Sequence, residues 1–135
     1  MSRTPSIPPA DVEKRLSREL NVWLCTVRRD GSPHLTPVWF VYLSATFWVG
    51  CGSRSVKARN VMADPRVSLA LESGNAPVVA EGAAHVHRNA FPGPVVEAFV
   101  RKYDGWDVGR RIGPDGERTL LEIPVRRWLL AGTAQ

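Results

Sequence analysis

The run Val22-Trp23-Leu24-Cys25-Thr26-Val27, the turn residues Arg29-Asp30-Gly31-Ser32 and the run His34 to Tyr42 spell two strands with a hairpin between them. The apolar and β-branched residues suit a pleated, half-buried surface. The Asp-Gly pair supplies the positive φ that a tight hairpin needs. The two strands are therefore antiparallel neighbours. Pro37 has no N–H to give to a ladder, so its position must be an edge, a bulge or a gap in the pairing. Thr46 to Cys51 reads as a third strand, joined through Leu43 to Ala45.

Working outward, strand patterns return at Val67 to Glu72, Val78 to His87 and Thr119 to Leu130, the first two connected by Ser73-Gly74-Asn75-Ala76-Pro77. Helical spacing occupies three places. Asp11 is placed to cap a helix running to about Leu20, with Val12, Leu16 and Leu20 on one face. Ser55 to Ala63 loses alternation and stops at Asp64-Pro65, because proline restricts the residue before it. A third helix lies around Val95 to Tyr103. Six strands with helices at the ends and no βαβ alternation predict a mainly β protein built as a six-stranded antiparallel barrel.

The chain of 135 residues fits one domain, expected over residues 10–135 behind a loose Pro- and Ser-rich arm at residues 1–9. Hydrophobic residues at 44% and charged residues at 23% can bury a core and keep a solvated surface. The apolar run Val38 to Val49 is broken by Ser44 and Thr46 and is shorter than the roughly 20 residues of a spanning helix, so no membrane span is expected. Met1 to Pro9 lacks the apolar run of a secretory signal, which makes the cytoplasm the expected location. Cys25 and Cys51 sit in apolar strand runs and read as packing residues. The net charge of +5 rests on fifteen arginines against three lysines, scattered in ones and twos. That pattern suits an anionic small ligand, and no nucleic-acid partner is expected.

Two stretches carry candidate chemistry. In Gly50-Cys51-Gly52-Ser53-Arg54-Ser55-Val56-Lys57-Ala58-Arg59-Asn60 a strand ends in small residues and leads into a cationic helix. Small residues let backbone N–H groups approach an anion, and the helix N-terminus adds partial positive charge, so a phosphate is the expected guest. The glycine spacing is not that of a P-loop. In Ser32-Pro33-His34-Leu35-Thr36-Pro37-Val38-Trp39-Phe40, alternation places Thr36, Val38 and Phe40 on one face and Leu35, Pro37 and Trp39 on the other. Backbone groups left unpaired near Pro37 suit a planar heterocycle. His34 reads as a polar residue near a turn, and His85 and His87 as edge histidines. Trp39 and Trp106 are candidate walls of a substrate pocket. No side chain stands out as a general acid or base.

Pro37-Val38-Trp39-Phe40, followed by Ser55-x-Lys57-x-x-Asn60-x-x-x-Asp64-Pro65-Arg66-Val67-Ser68 and by Glu81-Gly82, resembles the small actinobacterial branch of the pyridoxamine 5′-phosphate oxidase-like proteins. The resemblance covers about Leu16 to Leu130 and implies the FMN-binding type of split β-barrel. It further implies a homodimer with the cofactor site at the interface and an oxidoreductase using the deazaflavin coenzyme F420, with FMN as the alternative cofactor. Thr36, Pro37, Val38 and Trp39 would line the tricyclic ring. Ser53, Arg54, Ser55, Lys57, Arg59 and Asn60 would hold the phosphate and ribityl chain, with Lys57 the main cation. Arg54, Arg59 and Arg66 would serve the anionic tail of F420, and the stretch Arg110 to Arg118 would reach the partner's ligand. The arginine-and-lysine pattern of true pyridoxamine-phosphate oxidases is not evident, so vitamin B6 oxidation is not expected. A different class of reading is a non-catalytic module that sequesters a cofactor or binds haem through a histidine.

Overall fold

The computed structural model describes residues 7–110 and 112–134. The arm expected at residues 1–9 falls largely outside them. Helix α1 (Ala10–Arg18) leads into strands β1 (Val22–Val27), β2 (Pro33–Val38), β3 (Phe40–Leu43) and β4 (Thr46–Gly52). Helix α2 (Val56–Ala63) and strands β5 (Arg66–Ala70), β6 (Val78–Ala83) and β7 (His85–His87) follow. Helix α3 (Gly93–Lys102), the short β8 (Ile112–Gly113) and the long β9 (Gly116–Ala131) complete the chain. All strand pairs are antiparallel, in the order β2-β1-β5-β6-β9-β4-β3, with β7 and β8 also on β9. This is a curled, mainly β split barrel.

The sheet's two ends, β2 and β3, are consecutive in the chain and separated by Trp39 alone. One long strand therefore changes partners at that residue, from β1 on one side to β4 on the other. Pro37 lies opposite Trp23 on the edge strand β2, where a missing N–H leaves no gap in the ladder. The run expected from Val78 to His87 is likewise broken, at Ala84, whose N–H turns to Pro65 O at 2.8 Å. In the hairpin Gly31 adopts φ +87°, Arg28 N bonds to Ser32 O, and the Asp30 carboxylate accepts from Ser32 N at 2.9 Å and Ser32 Oγ at 2.6 Å. Those bonds hold the Asp30 carboxyl below its ordinary pKa.

The barrel interior is filled by Leu24, Phe40, Phe47, Val49, Leu69, Leu121 and Ile123 and is closed at one end by Val12 and Leu16 of α1. Each such side chain contributes about 1.5–3 kcal/mol when fully buried. Asp11 does not cap α1; Pro9 occupies that position and its carbonyl accepts from Glu13 N. The helix ends before Leu20, which consequently leaves the apolar face and is exposed. A second apolar cluster, around Val41, Trp48, Phe99, Tyr103, Val108 and Leu120, seats α3 on the outside of β3, β4 and β9. Cys51 belongs to the core, whereas strand alternation turns Cys25 outward with Trp23. Among the described residues no helix is long and apolar enough to cross a membrane.

Candidate functional site

Ser55 opens α2 as its N-cap: its Oγ accepts from Ala58 N at 3.3 Å and donates to Gly52 O at 2.7 Å. The loop before it does not offer its backbone to a ligand. Ser53 N donates to Glu117 O, Arg54 N to Asp115 O and Ser55 N to Gly52 O, at 2.8, 2.9 and 3.0 Å. The small residues serve the chain's own close approach instead. A Cβ on Gly50 would meet Val108 and Trp106, and one on Gly52 would meet the Asp115 backbone. The N–H groups of Ser53, Arg54 and Ser55 are thus taken by carbonyl oxygens of the chain itself, which leaves the side chains around α2 as the groups to examine for an anion.

Those side chains separate. Asn60 is buried and donates from Nδ2 to Thr26 Oγ1 at 3.0 Å, tying α2 to β1. Lys57 is half-buried in the first turn of α2, and its charge is felt at His34 on β2. Arg59 opens instead into a groove of about 760 Å³ that Ser53 and Asn60 also line. Arg28 and Arg29 from the hairpin and Arg88 from the segment after β7 complete its wall, with Val56, Met62 and Val86 as apolar floor. Four arginines from three elements meet here, and no carboxylate lines the groove among the described residues. Such a cavity concentrates positive potential and favours an anionic guest.

Arg28, Arg29 and Arg88 were not legible as partners of α2, since residues about 30 positions apart share no local pattern. The arginine excess was their only trace. Arg54 and Arg66 lie elsewhere. Arg54 packs by Gly116, while Arg66 clasps Asp64 through two bonds of 3.0 and 2.7 Å, which pull that carboxyl down to about 2. Arg66 lines a separate groove of about 1070 Å³ on the outer sheet face, with Cys25, Ser68, Glu81 and Arg127.

The stretch expected to line a ring is divided by alternation. Thr36 and Val38 point inward from β2, and Pro37 and Trp39 outward. The Thr36 Oγ1 and His34 Nδ1 atoms are both buried and without a hydrogen-bond partner. Burial, followed by the charges of Arg28 and Lys57, lowers the His34 pKa from its ordinary value. The Trp39 ring lies flat on Tyr103, centroids 4.4 Å apart and planes within 10°, and meets Trp106 edge-on at 5.4 Å. The Arg118 guanidinium covers Trp106 at 4.9 Å, so this arginine is turned into its own chain. Its Nε, like the Thr36 and His34 atoms, is buried without a hydrogen-bond partner among the described residues.

The end of α3 holds this corner. Tyr103 Oη accepts from Phe40 N at 2.8 Å and lies 2.8 and 2.9 Å from the Leu20 and Phe40 carbonyl oxygens. Lys102 Nζ donates to Leu16 O and Phe40 O and sits 3.6 Å above the Phe40 ring; burial pushes its pKa down to about 8. Tyr103→Phe would leave the buried Phe40 N–H unpaired, a cost of about 1–3 kcal/mol. We expect a lower denaturant midpoint with unchanged m-value for that variant, together with altered near-ultraviolet circular dichroism from the Trp39 stack. On β7, His87 Nε2 lies 2.7 Å from Glu122 Oε1, and His85 is exposed.

The family model described as Pyridoxamine 5′-phosphate oxidase matches residues 9–131. Among solved structures, a conserved hypothetical protein from Mycobacterium tuberculosis is 26% identical, with a TM-score of 0.71 over 95% of this chain and 87% of that one. A structure named F420 reductase is 22% identical, TM-score 0.70, covering 89% of this chain and 97% of its own. A haem storage protein from Vibrio cholerae is 14% identical, TM-score 0.68, covering 96% and 98%. No curated protein matches the sequence.

Proposed function

Because the chain belongs to the pyridoxamine 5′-phosphate oxidase family, we propose that it is a cytoplasmic oxidoreductase that uses reduced coenzyme F420 to reduce a small organic substrate. The observation that carries this reading is the groove where Arg28, Arg29, Arg59 and Arg88 converge, with no carboxylate in its wall among the described residues. FMN offers one phosphate to such a groove; F420 adds an anionic phospholactyl-glutamate tail. The residues present fit the larger anion. The F420 reductase relative supports the same choice at the level of a shared fold.

When bound, the cofactor supplies the hydride, and the protein's part is orientation, charge and exclusion of water. Lys57 and the four arginines neutralise the anionic portion. The face of β2 that carries Thr36 and Val38 borders the ring in this reading. Titration of the purified protein with F420 and FMN side by side tests the assignment. Tighter binding of F420 is expected. A flavin spectrum in the isolated protein would favour FMN, and a Soret band would favour the haem reading that the Vibrio relative brings to mind.

The working unit in this reading is a homodimer with the cofactor at the interface. On the outer sheet face Leu35 is 58% exposed and Trp23 37% exposed, beside the outward Cys25 and Val27. A second copy covers such apolar surface. Light scattering at micromolar concentration should report twice the chain mass; a monomer would count against the shared site.

A further inference from the structure

We propose that Met62 is a modification site: hydrogen peroxide converts its thioether to the sulfoxide, whose oxygen engages Arg88 and lowers the affinity of the arginine groove for anions. The inference rests on the reading of that groove as an anion site and adds a redox control to it. The chain has two methionines, and Met62 is 56% exposed, so an oxidant in solvent reaches its sulfur. Val56, Arg59 and Met62 stand at three-residue spacing on α2 and all line the groove, which puts Met62 on the same ridge as one of the four cations. A second cation touches it directly: Arg88 Nη2 donates to Met62 Sδ at 3.5 Å. An exposed methionine alone would carry no function. The bond to a guanidinium in the wall of the groove is what ties this sulfur to anion binding.

In the reaction a sulfur lone pair attacks one peroxide oxygen, so that an S–O bond forms and the O–O bond breaks. The sulfur loses two electrons and the peroxide gains them. The proton of the transferred oxygen passes to the departing hydroxide, giving water. Negative charge builds on that departing oxygen, and four arginines with no carboxylate in the wall among the described residues stabilise it. A thioether is a weak acceptor, whereas the sulfoxide is polar and presents an oxygen one bond beyond the sulfur. Arg88, already against the sulfur, donates to that oxygen and has fewer donors left for a guest. The oxygen's partial negative charge also repels an anion in the groove. Methionine sulfoxide reductases return the sulfoxide to the thioether, so the change is reversible.

The test uses inorganic pyrophosphate as the probe, titrated calorimetrically into the full chain before and after hydrogen peroxide, with peptide mass spectrometry following oxygen at Met62. Complete sulfoxide formation at Met62 should weaken pyrophosphate binding by roughly two- to tenfold, the range of one hydrogen bond lost. A methionine sulfoxide reductase should restore it. Met62→Leu, whatever its starting affinity, should show no change with peroxide, which separates Met62 from Met1, Cys25 and Cys51. In Arg88→Gln, which lacks the guanidinium, oxidation of Met62 should leave the affinity where that variant began. Undiminished binding after full oxidation of Met62, or an equal loss in Met62→Leu, overturns the proposal and leaves the groove as an anion site. A Met62 that stays unoxidised while free N-acetylmethionine is converted overturns it too. No pyrophosphate binding by the untreated parent removes the groove reading, and the proposal with it. Redox-sensitive pyrophosphate binding in a protein that binds neither F420 nor FMN upholds the Met62 assignment and removes the cofactor reading alone.

Discussion

Lys57→Ala should weaken binding of F420 or FMN by roughly ten- to a hundredfold while the fold and the dimer survive. Losing a charge-assisted hydrogen bond costs about 1.5–3 kcal/mol, and each 1.4 kcal/mol is a factor of about ten. Lys57 lies in the first turn of α2, outside the hydrophobic core, and alanine is the better helix former. Stability should therefore change little. Isothermal titration of parent and variant with both cofactors checks the assignment. Unchanged affinity for both would remove α2 as the anion-holding element.

Gly52→Ala should destabilise the fold by about 1–3 kcal/mol, the usual range for overpacking. A Cβ there would come within 2.4 Å of both the Asp115 Cβ and the Asp115 carbonyl oxygen, and a backbone group cannot swing aside as a side-chain tip can. Relief requires the turn between β8 and β9 to retreat from the loop before α2. The bonds Ser53 N to Glu117 O and Arg54 N to Asp115 O, which span the same junction, would lengthen together. Chemical denaturation should give a lower midpoint, and amide exchange should rise first at Ser53 and Arg54. Parent-like stability and exchange would show that the junction yields freely.

The pattern Gly50-Cys51-Gly52-Ser53 before a cationic helix reads as an anion loop, because small residues and exposed N–H groups are the local requirements for one. Here the same residues let the protein's own β8–β9 turn come close, and its carbonyl oxygens take the N–H groups. Sequence spacing does not distinguish a ligand from another part of the chain as the approaching partner. Asn60, whose position in the Lys-x-x-Asn run suggests a ligand contact, lines the arginine groove and also donates from Nδ2 to Thr26, a structural tie that spacing does not show.

The chain's local periodicities by themselves determined the six strand runs, the Asp-Gly hairpin, the three helices and the stop at Asp64-Pro65. Each depends on neighbours a few residues away, at period 2 or 3.6. Only the tertiary structure decided where the long second strand breaks. Trp39 leaves the ladder where its stack on Tyr103 and the bonds of Lys102 and Tyr103 to Phe40 take over, and those partners lie more than 60 residues away in the chain. The arginine groove also belongs to the tertiary structure. Its members at 28, 29, 59 and 88 meet because β1 pairs with β2 while α2 packs between β1 and β7. A charge pattern of that kind has no period to read, since it is set by the order of strands in the sheet and not by the spacing of residues along the chain.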